Sequence, residues 1–348
     1  MAHPIPTHQI SIVIPVYAGA LTLPDLMAEI APLTQGFVTP AGYHARISEV
    51  LLVHDRGPDA SDAVMRRLQQ QFPFVRAIWL SRNYGQHAAT LAGMASSGGD
   101  WIATIDEDGQ YEPAQIATML DVAMRDHASV VYAGPVNAAP HGPFRNWTSQ
   151  SSKRFIDVMT GSNQARYYHS FRLVLGEIGR AVAAYSGAGV YLDVALGWMA
   201  GDVVTAPVRL RDEGRRSGYS LPKLISHFWK MTLTSGTRGL RVVSFVGAIS
   251  ALLGLIMAIF TIVDRFRDSA LVPGWASLMT VSLLASGVIL LFLGIIAEYI
   301  GVAVTQAMGK PPYLIVSDFK NGPLGYPNEA EAARLETDAS GAGTEPLL

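Results

Sequence analysis

Residues 75–113, "VRAIWLSRNYGQHAATLAGMASSGGDWIATIDEDGQYEP", decide the fold. A short β-branched and aromatic run, "VRAIWLS", gives way to a polar turn, "RNYG", then to small residues at helical spacing, then to a second apolar run, "WIATI". Strand, helix and strand within about forty residues predict a βαβ unit with parallel strands. The second run ends in three adjacent acids, Asp106, Glu107 and Asp108. Carboxylates crowded together repel one another, so such a cluster calls for a cation. If the backbone stays extended past Ile105, side chains two apart share a face. Asp106, Asp108 and Gln110 then converge while Glu107 points away. Two carboxylates and an amide oxygen suit a hard cation, Mg²⁺ or Mn²⁺, with positions left for water and substrate phosphates. A calcium loop of the D-x-D-x-D-G kind is excluded, because Gln110 and Tyr111 stand where the third acid and the glycine belong. On the motif alone, a solvated acidic turn is the competing reading.

Toward the N-terminus the same alternation continues. "ISIVIPVY" (10–17) is a strand run ended by proline, "EVLLV" (49–53) a second strand, and "ASDAVMRRLQQQF" (60–72) a helix with an Asp/Ser start. The expected fold class is therefore α/β, with a mostly parallel sheet and crossover helices over residues 1–222. In such sheets ligands collect at the carboxyl ends of the strands. "PVY" (15–17), "HDRGPD" (54–59) and "DEDGQ" (106–110) all fall at such ends, which predicts one groove across them. The N-terminal stretch has no basic region followed by a long apolar core, so no cleavable signal peptide is expected.

Only 16% of the 348 residues are charged and 49% are hydrophobic, against about 25% charged in an ordinary soluble domain. The formal charge of -2 excludes the broad positive field of a nucleic-acid binder. Absence of cysteine removes disulfides, thiolate catalysis and Cys-ligated zinc. The apolar excess lies in two uncharged stretches, 242–263 and 275–297, each long enough to span a hydrocarbon layer of about 30 Å. Buried core helices are the competing reading, but core helices of that length keep a polar stripe. The short link 264–274 predicts a transmembrane hairpin over 242–300. Basic residues before and after it (Lys223, Lys230, Arg238, Arg241, Lys310) outnumber Arg265 and Arg267 in the link. The positive-inside rule then puts the catalytic domain and both termini in the cytoplasm, in a multi-pass protein of the cell membrane. Residues 223–241 mix bulky apolar and basic side chains, as an interfacial amphipathic helix does. Residues 301–325 form a cytoplasmic return segment, and the small, acidic tail 326–348 is expected to be disordered.

The central block, together with "SFRL" (170–173), "RDEGRRSGYSLPKL" (211–224) and "GIIAEYIGVAVTQAMGKPPYLI" (294–315), resembles family 2 glycosyltransferases of the polyprenyl-phosphate type, which includes dolichyl-phosphate mannose synthases and undecaprenyl-phosphate sugar transferases. Those proteins read R-N-x-G, a helix, then D-A-D-L-Q-x-P. Four motifs in order around a membrane hairpin cover nearly the whole chain outside the tail. The resemblance implies a GT-A (Rossmann-like) catalytic domain, a divalent cation, a nucleotide-sugar donor (a UDP-sugar) and a polyprenyl phosphate acceptor in the bilayer. It implies inverting transfer, giving a lipid-linked sugar for cell-envelope glycoconjugates. It also implies Asp106, Asp108 and Gln110 as metal ligands, with Pro15, Tyr17, Asp55, Arg82 and Asp106 around the donor. Asp108, Arg172 and Arg211 would be catalytic, the arginines gripping phosphates, and Arg211, Ser217 and Tyr219 would hold the acceptor phosphate. Relatives assemble through membrane and juxtamembrane contacts, so a homo-oligomer is compatible with the resemblance.

The chain departs from the family pattern in two places. The usual P-x-Y-N-E becomes Pro15, Val16, Tyr17, Ala18 and Gly19, and D-D-G-S-x-D becomes His54, Asp55, Arg56, Gly57, Pro58 and Asp59. These departures bear on recognition of the base and ribose, and His54 is either a replacement contact to the nucleoside or a structural histidine. His87 reads as helix packing. The loop after Arg211 has one residue more than R-x-x-G-x-S-x-Y, so Arg215 or Arg216 competes with Arg211 for the phosphate. Two alternatives accompany the main reading: transfer to a hydroxyl of a lipid or polysaccharide, which would need a general base that no spare carboxylate supplies, and a catalytically silent membrane scaffold.

Overall fold

The computed structural model describes residues 5–136, 168–187, 190–211 and 274–326, with isolated positions 247, 249, 252, 254, 256 and 259. Ser217, Tyr219, Arg215, Arg216, the interfacial segment 223–241 and nearly all of the tail lie outside the described residues.

The described residues form a nine-stranded sheet, eight strands from the N-terminal part and one from the segment after the apolar helix. In chain order its strands are β1 (Thr7–Val16), β2 (Phe37–Val38), β3 (His44–His54), β4 (Val75–Leu80), β5 (Trp101–Thr104), β6 (Val130–Pro135), β7 (Arg172–Leu175), β8 (Val203–Val208) and β9 (Ile315–Val316). Across the sheet they run β8-β6-β7-β5-β1-β3-β4-β9, with β2 paired to β3. The centre, β5-β1-β3-β4, is parallel throughout, whereas β7 is antiparallel to both of its neighbours and β9 antiparallel to β4. Helices α1 (Leu23–Ile30), α2 (Ser61–Gln71), α3 (Gln86–Ser96), α4 (Ile116–Asp126), α5 (Gly176–Tyr185) and α6 (Leu192–Met199) make the connections.

Strand periodicity explains the apolar runs. Ile10, Ile12, Ile14 and Val16 of β1 enter one apolar cluster with Leu26, Met65 and Met119, while Val13 joins Leu91, Met94 and Val182 in the other. Alternate residues face opposite sides, and both sides are covered, so a central strand must be apolar at nearly every position. The crossover helix α3 lies close to the sheet because a Cβ at Gly93 would sit 2.3 Å from Val13 Cγ1.

The apolar helix α7 runs from Trp275 to Ala307, beyond the expected end at 297. No glycine–proline break intervenes before Gly309–Pro311, so Glu298 and Gln306 are carried within the helix. Within its stretch Ala285–Ala307 an 18-residue window reaches a mean hydropathy of 2.4 with none of it buried, long and apolar enough to cross a membrane. In the other predicted span, Ile249, Leu252 and Ile256 have helical backbone and are exposed.

Candidate active site

Strands β1, β3 and β5 end side by side, and their carboxyl ends line a cavity of about 510 Å³ with Pro15, Val16, Tyr17, Asp55, Asp106, Glu107 and Asp108. The turn after β4 closes another side with Asn83, Gly85 and Gln86. That volume lies in the range of small-molecule sites.

Each carboxylate in the cavity has a different partner set. Asp55 accepts hydrogen bonds from the backbone N–H groups of Tyr84 (2.7 Å) and Gly85 (2.8 Å), which fixes the entry to α3. Gly85 takes φ +92°, the conformation glycine adopts most readily, and Gln86 then opens the helix. The Gln86 side-chain amide donates to Asp106 Oδ1 at 2.6 Å, and the Ser170 hydroxyl donates to Asp106 Oδ2. Desolvation raises the Asp106 carboxyl to about 6; the Ser170 hydrogen bond opposes this, and the charge of Asp108 adds to it. A bound cation would reverse that shift by favouring the ionised form.

Glu107 lines the cavity, but its carboxylate is tied to the end of β1. It accepts from Tyr17 N and Ala18 N, both at 2.9 Å. Burial raises this carboxyl, and the two backbone bonds pull the other way. Gly19 makes room for it, since a Cβ there would come within 2.6 Å of Glu107 Oε2. A larger residue at 19 would push the Glu107 carboxylate away from Tyr17 N and Ala18 N.

Gln110 falls outside the cavity lining, for a backbone reason. The chain does not stay extended: β5 ends at Thr104, Gly109 takes φ +74°, and Asp108 Oδ1 accepts from Gln110 N at 3.1 Å. The alternation that placed Gln110 beside the two aspartates therefore stops at the turn. Its carbonyl instead accepts from Arg211 N at 3.0 Å. Arg211 Nη1 donates to the Gly109 carbonyl at 3.2 Å and Nη2 to Glu29 at 2.6 Å, which seats this arginine on the outer side of the acidic turn.

Arg172, expected to grip a phosphate, is turned inward. It is 3% exposed and pairs with Asp193, itself 4% exposed, on α6. Its Nε faces Thr104 Oγ1 at 3.1 Å and the Ser170 carbonyl at 3.3 Å, and Tyr132 donates its hydroxyl to Asp193 at 2.8 Å. Through Ser170 this buried pair reaches Asp106. Sequence reasoning missed Asp193, although a lone acid inside "VYLDVALGW" signals a buried partner. It also missed Gln86, Asn83 and Ser170.

Arg82 lies over the Tyr84 ring (4.6 Å to the centroid) and is not among the residues lining the cavity. His87 packs on Tyr191, ring centroids 4.0 Å apart. His54 lies behind the cavity, 5.3 Å from the Trp79 ring, with both ring nitrogens buried and unpartnered among the described residues.

Among the described residues no three His, Asp or Glu side chains are grouped to hold a metal. Asp106 and Asp108 nevertheless fit a Mg²⁺ or Mn²⁺ that completes its shell with water and substrate phosphate, because such ions are commonly held by one or two carboxylates. The chain belongs to glycosyl transferase family 2, whose description matches residues 11–187, and it has the GT-A fold. A second description, the GtrB C-terminal hairpin, matches residues 239–303. An undecaprenyl-phosphate 4-deoxy-4-formamido-L-arabinose transferase of Pseudomonas aeruginosa is 29% identical, over 98% of this chain and 99% of its own. An uncharacterized glycosyltransferase of Bacillus subtilis, YkcC, is also 29% identical, over 89% of this chain and 94% of its own. Among solved structures, glucosyl-3-phosphoglycerate synthase from Mycobacterium tuberculosis, in complex with Mn²⁺, UDP and phosphoglyceric acid, is 13% identical with a TM-score of 0.48. The match covers 66% of this chain and 78% of that one.

Proposed function

We propose that this glycosyltransferase moves a sugar, with inversion and with the help of a divalent cation, from a nucleotide sugar to a membrane polyprenyl phosphate such as undecaprenyl phosphate. The observation that carries the reading is the pairing of Asp106 and Asp108 in a cavity at the strand ends, in a chain that also has an apolar helix of membrane-spanning length. The near full-length relative named for undecaprenyl-phosphate transfer supports the acceptor. The choice of a UDP-sugar follows from the family resemblance.

The residues suit this reaction. A phosphomonoester has its second pKa near 6, so the acceptor oxygen is largely ionised at neutral pH and needs no strong base. The demanding partner is the departing nucleoside diphosphate, on which negative charge develops. Asp106 and Asp108 would hold Mg²⁺ or Mn²⁺, which supplies charge stabilisation to the diphosphate oxygens. Tyr17, Pro15 and Asp55 form the nucleoside side of the cavity, and Arg82 with the N-terminus of α3 gives an electropositive approach. Arg211, with Ser217 and Tyr219, is assigned to the acceptor phosphate. The catalytic domain and both termini face the cytoplasm, with 242–263 and the apolar part of α7 as the two spans.

Purified protein, a panel of radiolabelled nucleotide sugars and undecaprenyl phosphate should yield a lipid-linked sugar that EDTA abolishes and Mn²⁺ or Mg²⁺ restores. Asp108→Ala should lose activity by at least about a hundredfold, the scale of a lost electrostatic transition-state contact. Full activity in that variant rejects the metal assignment, and transfer to an alcohol in place of the phosphate rejects the acceptor. Because the chain has no cysteine, single-cysteine variants at Gln35 and Ser269 report topology. A membrane-impermeant maleimide on intact cells should label only the second.

A further inference from the structure

The segment that follows α7 returns to the edge of the sheet that carries the donor cavity. β9 adds to the free edge of β4 (Leu80↔Ile315, Trp79↔Val316), and Ser81 N donates to the Leu314 carbonyl at 3.0 Å. Immediately beyond, Asp318 takes both ends of the Arg66 guanidinium, Nε to Oδ2 at 2.7 Å and Nη2 to Oδ1 at 2.8 Å. Such a fork is the geometrically specific form of an ion pair. Arg66 also lies over Trp79, 4.9 Å from the ring centroid, and Trp79 flanks His54. The next residue, Phe319, carries the Arg56 guanidinium 3.7 Å above its ring centroid.

Both contacts converge on the 54–57 turn. Arg56 takes φ +55°, a conformation that costs a non-glycine residue energy and must be held by its surroundings. Gly57 lies so close to β1 that a Cβ would fall 1.4 Å from the Tyr17 carbonyl oxygen, and Asp55 N donates to Val16 O at 2.8 Å. The turn therefore sets Tyr17 and Asp55 together, both of them donor-cavity residues. Behind it lies a separate cavity of about 400 Å³, bordered by His54, Arg56, Asp62, Arg66, Trp79 and Phe319. The outer side of the turn is thus not backed by close-packed core, and the return segment braces it.

We propose that Asp318 and Phe319 are positioning residues for the donor site, holding the 54–57 turn in the geometry that presents Asp55 and Tyr17 to the nucleotide. This rests on the reading of the strand-end cavity as the donor site. Neither residue touches the donor; each acts through an arginine. A turn released from its brace would spend only part of its time competent, and apparent affinity falls by that fraction.

The test uses full-length protein in nanodiscs, with UDP, GDP and ADP as probes in the presence of Mn²⁺ and binding measured by calorimetry. Phe319→Ala should weaken nucleotide binding about three- to fivefold, the scale of a cation–π contact whose arginine, like Arg56, is exposed, and Asp318→Asn about tenfold, within the range of a charge-assisted bond. Phe319→Tyr, which keeps the ring, should stay within about twofold of the parent, whereas in turnover Phe319→Ala and Asp318→Asn should raise the donor KM while kcat and the acceptor KM hold. Unchanged binding in both variants overturns the proposal even if their thermal midpoints fall, because a purely structural role predicts that pattern. An equal loss in Phe319→Tyr overturns it too. Binding uses no acceptor, so a parent protein that binds UDP but fails to glycosylate polyprenyl phosphate strikes only the acceptor reading. A parent that binds none of the three probes overturns both.

Discussion

Replacing Arg172 by methionine separates two roles for that residue. The side chains of Arg172 and Asp193 are 4% and 5% exposed. Removing the guanidinium leaves the Asp193 carboxylate buried with the Tyr132 hydroxyl as its remaining hydrogen-bond partner among the contacts described above. Breaking one side of a buried pair costs about 3–5 kcal/mol. For a domain of about 200 residues, 1 kcal/mol moves the thermal midpoint by about 2–4 °C. The single variant should therefore melt about 6–20 °C lower, by differential scanning fluorimetry of the detergent-solubilised protein. A double variant, Arg172→Met with Asp193→Asn, removes both charges yet keeps an acceptor for Tyr132. Because matched removal of a buried pair is often close to neutral, it should regain at least about half of the lost stability. If Arg172 serves as a brace for the Thr104–Ser170 junction beneath Asp106, the double variant should also regain transferase activity in proportion. A double variant that folds normally but stays inactive by more than about a hundredfold refutes this and returns Arg172 to the phosphate.

Glu107→Gln should weaken donor binding and lower the thermal midpoint by an amount equivalent to about 1.5–3 kcal/mol, since one charged acceptor now serves both Tyr17 N and Ala18 N; unchanged values would mean that these bonds are dispensable. His54 has its pKa lowered from 6.5, mainly by burial, with Arg56 and Arg66 in the same direction and Asp62 and Asp59 opposing. The unfolded chain then binds more protons below pH 6.5, so stability is full above that pH and falls as pH drops through the folded value. The slope is at most about 1.4 kcal/mol per pH unit, and His54→Phe should flatten that part of a melting-temperature profile; a profile identical to the parent's would remove His54 from the acid response. Gly57→Ala should prevent accumulation of folded protein, because the added methyl meets the Tyr17 backbone, and normal expression with normal nucleotide binding would refute that reading.

The central strands were legible because they are buried on both faces. β1, β3, β4 and β5 read as apolar runs, and Pro15, Tyr17, Asp55, Asp106 and Asp108 at the ends of these strands line one cavity. The β8-β6-β7 side of the sheet was not read from sequence, since β7 is inserted antiparallel between β5 and β6. No local periodicity encodes that non-local pairing. Gln110 was placed by an alternation that the Gly109 turn ends. For Arg172 the deciding partner, Asp193, lies 21 residues further along the chain, and a motif reports residue types without their orientation. Two residues of β9 carry no signal of their own.

β9 also bears on how the catalytic domain can be handled in isolation. β4 would be the last strand on its side of the sheet, and Trp79 and Leu80 would then offer unpaired backbone groups beside apolar side chains. Bare edges of that kind recruit strands from other molecules. A fragment cut at residue 222 loses its own edge cover, and its insolubility would reflect a missing strand as much as a missing membrane. Adding residues 310–326 back, joined by a flexible linker in place of residues 223–309, should keep such a fragment monomeric.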